Sequence, residues 1–235
     1  MSEIAERLAA LRARIEAAAL RAGRAPREVR LIGVAKRQTA ESVAEAVAAG
    51  VDEIGENFAQ EAREKIPLVH ALLAARGIAP PRWHFLGQLQ RNKARLVVPL
   101  FDCVQTLDRP ELAQELSRRA EAEGKTLDVL LQVNLDAEPQ KGGASPSELP
   151  ALLAAARALP ALRVRGLMAI PQPLPDGRPT FARLRALRDE LARTSGAELS
   201  MLSMGMSDDF EAAIAEGATH VRIGTALFGA RGAVQ

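Results

Sequence analysis

The chain has 235 residues, of which 48% are hydrophobic and 26% are charged, a balance typical of a globular protein. Its 31 basic and 29 acidic residues give a net charge of only +2, which argues against a nucleic-acid-binding protein. No apolar run is long enough to span a bilayer, and the Met-Ser-Glu-Ile start is unlike a signal peptide. The one cysteine, Cys103, excludes an internal disulfide or a cysteine metal cluster, so we expect a cytoplasmic protein without a metal site.

Hydrophobic periodicity predicts eight strands that alternate with helices. A first helix covers residues 2–22, with Ser2 as its cap and Gly23 at its end. Strands are predicted over residues 31–36, 51–55, 82–87, 102–106, 127–134, 163–168, 199–202 and 220–223. Further helices are predicted over residues 40–49, 58–75, 91–98, 109–123, 147–158, 179–194 and 207–216, the last one capped by Ser207-Asp208-Asp209.

This alternation predicts an α/β fold, a (β/α)8 barrel that forms a single domain over residues 1–235 with an extra N-terminal helix. An open doubly wound sheet is the alternative. It would require a glycine-rich fingerprint after the first strand, which residues 33–36 lack. The longest irregular stretch, residues 170–178, follows the sixth strand, where a barrel keeps functional loops.

Lys36 stands at the end of the first predicted strand, after the apolar run of residues 31–35. Such a run is typical of a strand that is buried on both faces. An amine drawn into such a site is partly desolvated, which favours its neutral and nucleophilic form. The alternative is a lysine that simply leaves the strand into solvent.

Two loops rich in glycine and hydroxyl groups follow the seventh and eighth strands. They cover residues 203–207 and 224–226. Barrels frequently bind phosphate at this place through backbone N–H groups. Arg222 lies two positions before Gly224, so it points into the barrel on the same side, although a barrel-end salt bridge is the alternative.

A lysine opposite a phosphate site suggests pyridoxal 5′-phosphate (PLP) as the cofactor. Its aldehyde would form a Schiff base with Lys36, and its phosphate would anchor the other end. Arg222 would face the ring nitrogen, and because arginine keeps its charge it would leave that nitrogen unprotonated.

The chain resembles the family of pyridoxal 5′-phosphate homeostasis proteins, which share a fold with the N-terminal domain of alanine racemase. The resemblance covers roughly residues 5–231 and is carried by residues 34–36, 55–61, 83–93, 132–134, 165–170, 203–209 and 221–229. The chain differs from the family pattern at Ala35, Gln88 and Gly142, and none of these differences removes a cofactor contact.

The resemblance implies which residues bind the cofactor. Lys36 carries the Schiff base, Arg222 faces the ring nitrogen, and the phosphate is held by Ser203, Gly224 and Thr225. Residues close to the cofactor are Asn57, Met206 and Ser207. Lys141 is implied as a secondary site.

The resemblance further implies a carrier or buffer of PLP without robust catalysis, with PLP-dependent apoenzymes as recipients. The alternative is a PLP-dependent amino-acid racemase or lyase of weak or specialised activity. The chain contains no tyrosine, although two-base racemization in this barrel type needs one opposite the lysine. We expect no second domain after Gln235 and therefore a monomer. Two other candidates, Cys103 and His84, are interpreted as packed strand residues.

Overall fold

The computed structural model of the chain describes residues 2–136, 142–171 and 177–229. Within these ranges, eight parallel strands close into a barrel in which each strand pairs with the next and the last pairs with the first. The strands are β1 Arg30–Val34, β2 Glu53–Glu56, β3 Arg82–Phe85, β4 Cys103–Leu107, β5 Leu127–Gln132, β6 Leu162–Met168, β7 Met201–Ser203 and β8 His220–Ile223. The predicted (β/α)8 barrel is confirmed.

The helices lie outside the strands. They are α1 Glu3–Arg21, α2 Ala40–Ala48, α3 Ala59–Ala74, α4 Ala94–Val97, α5 Pro110–Ala122, α6 Leu149–Arg157, α7 Arg178–Ser195, α8 Phe210–Ala215 and α9 Thr225–Phe228. The predicted extra helix is α1: Ser2 caps it by accepting a hydrogen bond from the N–H of Ala5 (3.3 Å), and it packs against α8 and α9. The hydrophobic pattern does not predict α9, which is a single turn. Over the described residues, no helix has the length and apolar character required of a membrane span.

Two apolar regions stabilise the barrel. The larger one lies between the strands and the surrounding helices. The smaller one lies inside the barrel and consists of Cys103, Leu130, Met168 and Met201. Cys103 is fully buried, which confirms its predicted place in the core, and burial raises the pKa of its thiol.

Charged side chains pair with one another at the amino ends of the strands. Asp128 of β5 pairs with Arg82 and with Arg163, whose Nε lies 3.2 Å from Asp128 Oδ1. Glu53 of β2 pairs with Arg30 at 3.4 Å. A hollow of about 630 Å³ opens among these groups. In barrels this end supports stability, whereas chemistry takes place at the carboxyl ends of the strands.

Candidate functional site

The predicted site residues lie together on one arc of the barrel. β7, β8, β1 and β2 are consecutive in the closed sheet, and every predicted cofactor contact lies in or just after one of these strands. Met206 and Ser207 follow β7, Gly224 and Thr225 follow β8, Lys36 follows β1, and Asn57 follows β2. Ser203 and Arg222 are within β7 and β8. The barrel therefore brings together residues that are far apart in the sequence.

Lys36 lies in a turn just after β1. The strand ends at Val34, two residues earlier than predicted, because Arg37 takes up a left-handed conformation (φ 60°) that ends the extended backbone. The side chain of Lys36 is partly buried, and within the described ranges its amine has neither a hydrogen bond nor an ion pair. A partly desolvated amine without a partner is available for reaction with an incoming group.

A buried ion cluster lies behind this turn. The ammonium of Lys65 on α3 donates to the carbonyl of Ala35 (2.8 Å), to Glu56 Oε1 (2.8 Å) and to Glu61 Oε1 (2.5 Å). Glu61 Oε1 also accepts from the N–H of Arg37 (2.6 Å). Burial raises the pKa of Glu56 to about 7, while the nearby ammonium of Lys65 opposes that shift. Neither the motifs nor the hydrophobic pattern of the sequence predicts a role for this cluster.

The loops after β7 and β8 present backbone donors. Among the described residues, the N–H groups of Ser207, Gly224 and Thr225 have no hydrogen-bond partner. Asp209 lies at the N-cap position of α8, as predicted, but its side chain makes no cap bond: it accepts from the N–H of Met206 (2.6 Å) and so restrains the first loop. Free backbone donors in loops after neighbouring strands are suited to binding an oxyanion.

Arg222 is buried inside the barrel, as the sequence predicted. Its guanidinium donates to Ser203 Oγ (2.8 Å) and to the carbonyl of Ala169 (2.9 Å). Burial lowers the pKa of Arg222 to about 10, and the charge of Asp209 opposes that shift. The guanidinium therefore keeps its charge at neutral pH.

The hydroxyl of Ser203 is already engaged inside the barrel. It accepts from Arg222 and donates to Gln105 Oε1 (2.7 Å). The Nε2 of Gln105 lies 3.0 Å from His84 Nδ1. The hydroxyl thus supports Arg222, and its predicted contact with a phosphate stays a prediction. His84 is fully buried, in line with its interpretation as a packed residue.

Asn57 carries a buried oxygen without a partner. Its Oδ1 accepts no hydrogen bond from the described part of the chain. The backbone of Gly87 passes so close to Asn57 that an added Cβ would lie 1.9 Å from the Asn57 carbonyl oxygen. A cavity of about 220 Å³ opens beside these two residues and extends toward Gln132 and Ala169. An unsatisfied buried oxygen beside a cavity is typical of a ligand contact.

Two predicted features lie outside the described residues. Lys141, the implied secondary site, falls in one gap, and residues 172–176 of the loop after β6 fall in another. Both predictions stay predictions.

The chain is similar to known proteins over nearly its whole length. The family model described as alanine racemase, N-terminal domain matches residues 7–232. A Pseudomonas aeruginosa protein named pyridoxal phosphate homeostasis protein is 50% identical over 234 residues, covering 98% of this chain and 97% of that protein. An Escherichia coli K12 protein of the same name is 46% identical over 233 residues, covering 98% of each. The structure of PipY from Synechococcus elongatus PCC7942 with PLP bound has a TM-score of 0.82 at 39% identity, covering 97% of this chain and 100% of that chain.

Proposed function

Because the chain belongs to the family of pyridoxal phosphate homeostasis proteins, we propose that it binds PLP covalently through Lys36 and acts as a carrier or buffer of this cofactor. The observation that carries the proposal is the unpartnered amine of Lys36 on the same arc as three free backbone donors. The likeness to PipY, which was solved with PLP bound, supports the choice of cofactor.

The polar groups of the candidate site suit the functional groups of PLP. Once bound, PLP supplies an aldehyde that condenses with an amine. The free N–H groups of Ser207, Gly224 and Thr225 suit its phosphate, because backbone N–H groups without a partner can donate to its oxygens. The unpartnered Oδ1 of Asn57 offers a further polar contact, and Met206, which is 39% exposed, lies at the edge of the site.

Arg222 favours a binding role over catalysis. A charged arginine cannot supply a proton to the ring nitrogen at neutral pH, so it weakens the electron sink on which most PLP-dependent reactions depend. The chain also has no tyrosine to act as a second base. We therefore infer a protein that holds the cofactor without robust turnover.

The test is uptake of PLP by the purified protein. An absorbance scan detects the lysine-bound cofactor, and reduction followed by peptide mass mapping locates it. We expect attachment at Lys36 that Lys36→Ala abolishes. Lys93→Ala is the control, because Lys93 is an exposed lysine elsewhere on the barrel, between β3 and α4. Covalent uptake that persists in Lys36→Ala would show that the assignment is wrong.

A PLP-dependent racemase or lyase is the alternative function. Incubation of the loaded protein with each L-amino acid in deuterated water separates the two. Stereospecific exchange of the α-hydrogen with turnover would contradict the carrier, whereas no exchange supports it.

The remaining parts of the proposal come from the sequence. We infer a single barrel domain over residues 1–235, a monomer, and a cytoplasmic location without nucleic-acid or membrane partners. PLP-dependent apoenzymes are the proposed recipients of the cofactor. Transfer from the loaded protein to such an apoenzyme, measured in the presence of a scavenger of free PLP, tests this point.

A further inference from the structure

The turn that carries Lys36 is held on both sides by side chains of α3. On one side Lys65 Nζ donates to the carbonyl of Ala35 (2.8 Å), and on the other the N–H of Arg37 donates to Glu61 Oε1 (2.6 Å). We propose that Lys65 and Glu61 are positioning residues that fix the backbone around Lys36 and so orient its amine. This inference rests on the proposed attachment of the cofactor at Lys36.

The ammonium of Lys65 is buried and uses all of its hydrogen-bond donors. Its side chain is only 8% exposed, and an ammonium has three N–H donors. All three find acceptors, on Ala35, Glu56 and Glu61. Glu56 lies at the end of β2 and its side chain is fully buried, so the sheet itself holds one end of the cluster. Hydrogen bonds to charged groups are stronger than neutral ones, so the three bonds of Lys65 restrain its position, although Glu56 Oε2 accepts no bond from the described residues.

The turn needs this support. Arg37 has a φ of 60°, and over the described ranges it is the only residue other than glycine with a positive φ. A side chain with a Cβ is disfavoured in that conformation by about 1–2 kcal/mol. The charge-assisted bond from the N–H of Arg37 to Glu61 offsets that cost. Without the bond the turn is free to adopt other conformations, which would move Lys36 relative to the donors of the loops after β7 and β8.

The experiment compares substitutions on one helix. Glu61→Ala removes the acceptor, whereas Glu61→Gln keeps an oxygen that accepts the Arg37 N–H. Glu64→Ala is the matched control, since Glu64 is an exposed residue of α3 that pairs only with Gln60 (2.8 Å) among the described residues. Two quantities are measured: hydrogen exchange of the Arg37 amide in the protein without cofactor, and the rate of PLP uptake at Lys36.

We expect Glu61→Ala to exchange the Arg37 amide about tenfold faster, since one charge-assisted hydrogen bond is lost. We expect its uptake of PLP to be about tenfold slower, because a displaced reacting group loses orientation. Glu61→Gln should restore both quantities and Glu64→Ala should change neither. Lys65→Met, which frees the Ala35 carbonyl, should slow uptake to a similar degree.

The outcomes separate this inference from the proposed function. If the Arg37 amide is released in Glu61→Ala while PLP uptake keeps the wild-type rate, the positioning role is wrong. The same holds if amide exchange does not change, or if Glu64→Ala slows uptake as much as Glu61→Ala does. If the wild-type protein takes up no cofactor at Lys36, the proposed function itself fails, and the inference fails with it.

Discussion

The two ends of the barrel differ in whether their outermost charged groups have a counter-charge. At the amino end, the carboxylates of Asp128 and Glu53 form ion pairs with arginines. At the carboxyl end, the amine of Lys36 and the Oδ1 of Asn57 have no partner within the described ranges. A larger hollow lies at the amino end, about 630 Å³ against about 220 Å³. Buried atoms without a hydrogen bond, such as Glu53 Oε2 and Arg82 Nε, also occur at the amino end, so the feature that distinguishes the carboxyl end is the amine of Lys36, which has no counter-charge among the described residues.

Lys36→Ala should give the sharpest separation of the two ends. We expect complete loss of covalent PLP uptake, with the free energy of unfolding changed by less than about 0.5 kcal/mol, because the amine makes no contact that the fold depends on. Urea unfolding without cofactor measures the second quantity. A large loss of stability would show that Lys36 also has a structural role.

Asp128→Ala should have the reverse effect. It leaves Arg82 and Arg163 without their carboxylate, and we expect the free energy of unfolding to fall by about 2 kcal/mol. This is less than for a fully buried pair, because both arginines are partly exposed to solvent, which screens their charge. PLP uptake per folded molecule should not change. The matched control is Glu190→Ala, which breaks an exposed pair with Arg193 (2.7 Å) and should cost less than about 0.5 kcal/mol. Equal losses in the two variants would contradict the contrast between the ends.

The amino end should lose stability in acid. Burial lowers the pKa of His220 from 6.5 to about 4, so the unfolded chain takes up a proton at a higher pH than the folded one. Its contribution to stability is present above about pH 6.5 and is lost as the pH falls toward 4. His220→Gln should therefore lose less stability than the wild type over that range, as urea unfolding at several pH values would show.

The cluster near the carboxyl end should respond in the opposite direction. The pKa of Glu56 rises from 4.5 to about 7, so the folded chain holds a proton that the unfolded chain releases. Its contribution is present below about pH 4.5 and is lost as the pH rises through 7. Glu56→Gln, which stays neutral, should gain stability relative to the wild type as the pH is raised. If the difference in the free energy of unfolding between Glu56→Gln and the wild type did not change with pH, the raised pKa of Glu56 would be contradicted.

Arg37→Gly should have the smallest effect. Glycine adopts a positive φ without steric cost, so we expect a change within about 1 kcal/mol, with the greater freedom of glycine in the unfolded chain opposing the gain. Thermal unfolding measures it. A loss of several kcal/mol would indicate that the exposed side chain of Arg37 makes contacts on which the fold depends.

The sequence predicted the fold because strands and helices are indicated by the pattern of apolar residues within short segments of the chain. Apolar runs and helical stripes recur along the chain, and the structure places all eight strands within about two residues of the predicted positions. Lys36 and Arg222 were selected as site candidates by the same logic, since a residue at a strand end faces the mouth of the barrel and alternate residues point inward. The turn after β1 was missed because a left-handed arginine has no sequence signature.

The supports of the site could not be predicted in this way. The bond between Ser203 and Gln105 joins residues 98 positions apart, and only the closed barrel brings them together. Glu61 and Lys65 have the i,i+4 spacing of a surface ion pair, so the pattern alone indicates a solvated helix face. Their contact with the turn after β1 depends on how α3 packs on the barrel. Local periodicity thus predicts which residues lie at strand ends more readily than it predicts the side chains that hold those strand ends in place.

The depth of Cys103 has a consequence for side reactions. A protein that carries an aldehyde exposes its own nucleophiles to that aldehyde, and a thiolate is a stronger nucleophile than most. The only thiol of the chain is fully buried inside the barrel, and burial raises its pKa, so it stays protonated and out of reach. The same burial protects the sulfur from oxidation. The aldehyde of PLP is therefore not expected to form an adduct with the thiol of Cys103.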